Sequence, residues 1–187
     1  MTSTKRIPAE TGIWIMIFGD MMIFSLFFLV FLQYKGEAPE IFLQSQSTLN
    51  VWLGFVNMLL LLTSSWFVAM SLNLMKRGFY SSAKRFLLIA LAFGIGFGVI
   101  KVIEYTQKFS AGINLTTNDF YMFYFMYTGI HFVHVLIGLG VLTFLIVKTN
   151  ANRYNDKDRM TFESGACFWH MVDLLWIILF PLLYLAQ

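Results

Sequence analysis

Charge is scarce in this chain and cysteine is nearly absent. Asp, Glu, Lys and Arg make up only 12% of its 187 residues, roughly half the share of a water-soluble domain, which excludes an ordinary soluble globule. The lone cysteine, Cys167, excludes an internal disulfide framework and any site built on paired thiolates. Three histidines are too few for the histidine-rich di-iron sites of membrane desaturases. The basic residues, with a formal net charge of only +3, form no stripe that would track nucleic acid. There is no internal repeat, no low-complexity tract, and no pair of Gly/Pro-broken apolar helices of the kind that builds transporter sites.

What is abundant is apolar: 58% of the residues are hydrophobic and 18% aromatic. Five apolar runs, near Thr11–Leu32, Asn50–Leu74, Lys84–Gln107, Asp119–Val147 and Thr161–Ala186, are each long enough to cross a bilayer core, which takes roughly 20 helical residues. Lipid offers no partners for backbone groups, and none of the runs alternates as a barrel strand does. The expectation is an all-α, polytopic membrane protein, a bundle of five transmembrane helices forming a single domain over residues 1–187. Lys5 and Arg6 ahead of the first run give Met1–Glu10 a superficial likeness to a secretory leader. Asp20 within the run, its length, and the want of a small-residue cleavage site favour a retained first span.

Orientation follows from the thirteen Lys and Arg residues. Lys5, Arg6, Lys76, Arg77, Lys84, Arg85, Lys148, Arg153, Lys157 and Arg159 fall on one side of a five-span chain. Only Lys35 and Lys108 fall on the other, and Lys101 lies within the third span. By the positive-inside rule the N-terminus is cytoplasmic and the C-terminus outside. The connections, such as Lys35-Gly36-Glu37 and the stretch from Asn150 to Asp158, are short, polar and rich in turn formers.

Gly94, Gly96 and Gly98 in the third run, Gly138 and Gly140 in the fourth, and Ser64 and Ser65 in the second predict close helix contacts, within the bundle or in a groove facing a partner. The aromatic run from Phe120 to Tyr127 reads as an interfacial belt with room for a quinone or partner contact. Pro181 predicts a kink near the end of the last span. Met16, Met21 and Met22 read as adaptable packing rather than copper ligands.

Seven titratable groups lie within the spans: Asp20, Glu104, His131, His134, Glu163, His170 and Asp173. A charge at mid-bilayer costs about 2.5–3.5 kcal/mol on insertion scales, so each calls for a reason. Helical spacing places Glu163, His170 and Asp173 on one face of the fifth span, and His131 and His134 one turn apart on the fourth. Counting the rise along each helix brings Asp20, His134, His170 and Asp173 to a common depth, where a polar cluster is expected. Glu104 falls near the outer interface beside Lys101, and Glu163 near the cytoplasmic one. Three chemistries are open to the cluster. It is a metal or haem site (a bis-histidine haem on His131 and His170, for instance), a proton or ion relay of a transporter, or a network that holds helices together, binds lipid head groups or serves a partner subunit. In the last case Glu163, His170 and Asp173 hold the fifth span against the fourth and first.

The motifs carry a resemblance. Phe162-Glu163-Ser164-Gly165-Ala166-Cys167-Phe168-Trp169-His170-Met171-Val172-Asp173-Leu174-Leu175-Trp176 looks like the F-E-[AS]-[AG]-x-x-[YFW]-W-H-[FM]-V-D-x-[VL]-W signature of subunit III of the haem–copper oxidases. Tyr127-Thr128-Gly129-Ile130-His131-Phe132-Val133-His134-Val135-Leu136-Ile137-Gly138 is similar to that family's T-G-x-H-x-x-H-V-x-x-G. Glu104-Tyr105 matches its E-Y pair, Asn57 with Thr63-Ser64-Ser65 its second-span pattern, and Phe18-Gly19-Asp20 through Phe24 the span that bears its intramembrane carboxylate. The resemblance runs through all five spans.

It implies a non-catalytic accessory subunit in a bacterial cytoplasmic membrane, with no cofactor bound directly. The haem, with copper or non-haem iron, belongs to a large catalytic partner subunit. Structural phospholipid among the helices and support of proton uptake are implied as well. Carried over, the intramembrane carboxylate is Asp20, and the polar core is His131, His134, Glu163, His170 and Asp173, with Asn57 and Glu104 beside them. Many family members have seven helices; this chain begins at the third of those, and its first-span carboxylate is Asp where the longer forms carry Glu. The linker from Pro39 to Gln46 and Gly19-Asp20-Met21 look similar to the branch that accompanies bacterial nitric oxide reductases, which gives a second candidate partner. An independent proton-coupled transporter or a haem-bearing membrane protein is the competing class.

Overall fold

A computed structural model describes residues 9–149 and 155–186, with the backbone alone at 156 and 157. Lys5, Arg6 and Arg153 of the charge tally, and residues 150–154 of the fourth connection, lie outside the described residues, as does the side chain of Lys157. Among the described residues every regular element is helical: α1 (Thr11–Glu37), α2 (Pro39–Ser47), α3 (Val51–Lys76), α4 (Tyr80–Ser110), α5 (Asp119–Thr149) and α6 (Asp156–Phe180), followed by a wider π-helical turn, Pro181–Leu185. Five of these are long and apolar enough to cross a membrane. α4 and α5, at 31 residues each, are about 46 Å long and overrun a hydrocarbon core of about 30 Å at their polar ends.

The ends are set by local chemistry. Asn50 caps α3, its side chain accepting from the Leu53 amide at 3.2 Å. α3 and α4 both stop in the same way, on a glycine in the left-handed region. Gly78 (φ 82°) and Gly112 (φ 76°) allow Phe79 N–H to reach back to Leu74 O and Ile113 N–H to Lys108 O. α6 starts with a reciprocal box: Asp158 N–H donates to Asn155 Oδ1 at 2.9 Å and Asn155 N–H to Asp158 Oδ2 at 3.1 Å. Pro181 has no N–H to continue the α-helical ladder. There the chain widens by one residue per turn, and Ala186 N–H donates to Pro181 O at 2.8 Å.

α3, α4, α5 and α6 close into a ring in which each packs on its two neighbours, and α1 lies outside it against α5 and α6. The ring is built on a seven-residue step. Ser64 and Ser71 of α3 donate to the carbonyls of Ala90 and Ala83 of α4, seven residues forward on one helix and seven back on the other. α6 buries most of its length, whereas α1 buries only Phe24 and Phe31. The expected bundle of five spans is present, arranged as a four-helix ring with the first span at its edge.

Two expectations need correction. Residues 39–46 are not an irregular linker: Pro39 opens α2, which turns Phe42, Ser45 and Gln46 inward. The aromatic run at the start of α5 is not an interfacial belt. Phe120, Tyr121, Phe123, Tyr124, Phe125 and Tyr127 are all buried, and Phe123 and Phe120 meet Phe31 of α1 and Phe42 of α2 edge-to-face. Of the methionines, Met21 packs on the core while Met16 and Met22 face outward.

Candidate functional site

The ring has two tryptophan layers one heptad apart. In the first, Trp169 of α6 occupies the centre. A Cβ added to Gly138 of α5 would lie 2.6 Å from its ring, and one on Gly94 of α4 2.9 Å. Those two glycines are the space the indole fills. Its Nε1–H donates to Ser64 Oγ at 3.1 Å, and that hydroxyl in turn donates to Ala90 O at 2.8 Å. The small residues thus make contacts within the bundle. Gly140 meets nothing within 4 Å of where its Cβ would stand.

Seven residues along each helix comes the second layer: Asn57 from Ser64, Lys101 from Gly94, His131 from Gly138 and Trp176 from Trp169. His131 stacks on Trp176 with ring centroids 5.2 Å apart, and Phe97 meets both edge-on at 5.7 and 5.0 Å. Lys101 Nζ stands 4.7 Å from the Trp176 ring centroid. It is 1% exposed, and its ammonium is spoken for. It pairs with Glu104 Oε2 at 2.9 Å and donates to the hydroxyls of Tyr184 at 3.1 Å and Tyr124 at 3.4 Å. Tyr184 in turn donates to Glu104 Oε1 at 2.6 Å. This is how two charges persist at depth: each is met by the other and by phenols and an indole face.

The remaining expected residues do not form one cluster. Asp20 meets His134, Oδ2 to Nε2 3.4 Å, at the seam of α1 and α5. His134 Nδ1–H donates to Ile130 O at 2.9 Å, so the contact to Asp20 needs one further proton, on either partner. His170 bonds instead to Ser65 of α3 through Nδ1, and Asp173 is buried one turn on, with Oδ1 lacking a protein partner. No hydrogen bond or ion pair among the described residues joins Asp20 to His170 or Asp173.

Glu163 works at the opposite end of the ring from Glu104. It accepts from Lys76 of α3 at 2.9 Å, from Arg159 at 3.1 Å and from the Ala9 amide at 3.5 Å, while the next amide, Glu10 N–H, donates to Ser164 Oγ at 3.0 Å. Where Glu163, His170 and Asp173 are expected to brace the last span against the first and fourth, the contacts of Glu163 and His170 run elsewhere in part, and Asp173 Oδ1 has no protein partner. Glu163 and His170 hold α6 to the approach to α1 and to α3, not to α5.

No group of three or more His, Cys, Asp and Glu stands together in a way that would hold a metal ion among the described residues. Lys101, Tyr124, Trp169, Trp176 and Tyr184 have structural roles that the sequence pattern alone did not assign. The signal was present for Lys101: a cation three residues from Glu104 inside an apolar run needs a buried counter-ion.

Comparison with known proteins agrees with the motifs. The family model described as cytochrome c oxidase subunit III matches residues 2–187. The quinol oxidase subunit 3 of Bacillus subtilis is 26% identical, over 93% of this chain and 85% of its own length. The cytochrome c oxidase subunit 3 of the same organism is 26% identical, over 93% and 84%. That of Synechocystis is 28% identical, over 93% and 74%.

Proposed function

The chain belongs to the cytochrome c oxidase subunit III family, and from that premise we propose that it is the accessory, non-catalytic subunit of a bacterial haem–copper oxidase. It is a multi-pass protein of the bacterial inner membrane. Its task is to stabilise the catalytic subunit, order lipid at their boundary and support proton uptake there. The observation that carries this reading is the contrast between a ring whose charged groups are paired inwardly and a seam where they are not closed off. Asp20 and His134 keep 23% and 17% of their side-chain surface open, at a depth where hydrocarbon is a costly neighbour. α1 beside them turns Phe18, Met22, Leu26 and Leu29 outward, as a helix does that expects a protein face or bound lipid.

Lipid has a place of its own. Ile13 and Met16 of α1, with Ile137 and Phe144 of α5 and Phe168 of α6, line an apolar groove of about 310 Å³. Near one end Lys148 Nζ donates to Thr161 Oγ1 at 3.2 Å and pairs with Asp158 at 3.0 Å, a polar corner where a lipid head group would sit above an acyl chain. The basic ends also support a cytoplasmic N-terminus. Lys76, Lys148 and Arg159 gather at the end where α1 begins. At the other end stand Lys35, which donates to Ala186 O at 2.5 Å, and Lys108, which donates to Thr48 O at 3.1 Å.

The test is isolation in mild detergent. The chain should bring with it a large haem-containing membrane protein, and the haem spectrum should persist when Asp20→Asn is introduced while turnover-dependent stability falls. A chain that purifies alone, or whose own haem disappears in His170→Ala, overturns the proposal. A partner carrying the non-haem iron of a nitric oxide reductase would reassign the complex.

A further inference from the structure

Four side chains in and beside the second tryptophan layer carry polar atoms with no protein partner: both ends of the Asn57 carboxamide, both ring nitrogens of His131, the Trp176 indole nitrogen and Asp173 Oδ1. Asn57, His131 and Trp176 are 0% exposed and Asp173 7%. Such groups are rare in a folded interior, since each left unmet forfeits its hydrogen bonds outright. These are also neighbours. His131 and Trp176 are in ring contact at 5.2 Å, and both touch Phe97. Asn57 joins them by register. It lies seven residues from Ser64, whose hydroxyl touches Trp169 and Ala90. The same step from Trp169 reaches Trp176, and from Ala90 it reaches Phe97. Asp173 follows three residues before Trp176 on the same face of α6.

The inventory is complementary. Trp176 is a donor only and the Asp173 oxygen an acceptor when ionised. Neutral His131 offers one of each, and Asn57 two donors and an acceptor. Yet none of these atoms hydrogen-bonds another. Polar groups that face one another across more than 3.5 Å are commonly bridged by water, and a buried water needs two to four polar partners. We propose that Asn57, His131 and Trp176, with Asp173 at its edge, form an internal water-binding site at the meeting point of α3, α4, α5 and α6. The water pins three helices at one level, as Ser64 does directly one heptad away.

The molecule contains its own control. Trp169 and Trp176 are equally buried, at 1% and 0% exposed, but the indole N–H of Trp169 is satisfied by Ser64. Radiolysis by a brief X-ray pulse makes hydroxyl radical in place from bound water, so oxidation marks side chains beside such water whatever their exposure to bulk. In the intact protein in nanodiscs, peptide mass spectrometry should find Trp176 oxidised several-fold faster than Trp169, and Asn57→Leu should narrow that gap. Equal, slow oxidation of both overturns the proposal. A second readout turns on sign. If the site is dry, Asn57→Leu and His131→Phe each remove an unmet polar group and raise the melting temperature. If it holds water, each lowers it, and the double variant loses less than the two losses summed because both act on the same water. A rise in either single variant overturns the site.

Discussion

The two tryptophan layers are built from the same four helices at the same register, and they solve the problem of a polar group in the bundle differently. Around Trp169 two glycines and a serine give close backbone approach and one direct hydrogen bond. Around Trp176 the corresponding positions are Lys101, His131 and Asn57. The first layer is closed by shape and is intolerant of added volume. The second is held by charge, with Lys101, Glu104, Tyr124 and Tyr184 satisfying one another, and it leaves three side chains in want of partners. The lesson is that a heptad bundle in lipid can be locked by removing side chains or by pairing them. The two devices fail in different ways.

The sharpest way to separate them is to remove one member of the charge network. Lys101→Met leaves Glu104 with phenol hydroxyls but without the ammonium it pairs with, and breaking a buried pair costs about 3–5 kcal/mol. Thermal unfolding in detergent should show the largest fall in the series, and adding Glu104→Gln should restore much of it. If the double variant is no better than the single, the layer is held by packing and the contrast collapses. Next is Gly138→Ala, whose new methyl would stand 2.6 Å from the Trp169 ring. Overpacking of this kind costs about 1–3 kcal/mol, and the fluorescence of Trp169 should shift as the indole moves. Ser64→Ala makes the first layer resemble the second by orphaning the Trp169 N–H, at about 1–3 kcal/mol. A negligible loss would mean that an indole N–H at this depth needs no protein partner, and the two layers would differ less than their geometry suggests. Smallest is Gly140→Ala, two residues from Gly138 but facing open space, with an expected change below about 0.5 kcal/mol.

The five spans were legible because their signal is length and apolarity, which lipid enforces without reference to anything else in the chain. Their ends were less so. α1 runs to Glu37 and α4 from Tyr80 to Ser110, since a helix continues into the polar zone while its backbone bonds and caps allow, and hydropathy does not record that. α2 escaped notice because nine residues with one buried face look like a polar connection. In the candidate site, pairs set by spacing within one helix were readable, as with Lys101 and Glu104. Pairs set by rotation of one helix against another were not. Depth alone placed Asp20 with His134, His170 and Asp173 together, and only the packing of α1 on α5 selects His134 from that group. The aromatic run of α5 misled for the same reason: composition suits an interface, but the presence of α1 and α2 over it makes it core.

The sparse attachment of α1 has a consequence in time. Its bonds to the rest of the protein reach far along the chain. Phe27 O accepts from Tyr127, 100 residues later, and the Glu10 amide finds Ser164 154 residues later. At synthesis rates of about 5–20 residues per second, those partners arrive on the order of ten seconds after α1 has left the ribosome. For that interval the helix has little but α2 to pack on, through Phe31 and Phe42, and it must stay in the bilayer despite Asp20. Its best stretch has a mean hydropathy of 2.5, whereas the last span, which enters beside helices already in place, manages with 1.9. The least-held helix is thus among the most lipid-soluble, and the best-held can carry Glu163, His170 and Asp173 because its neighbours are waiting.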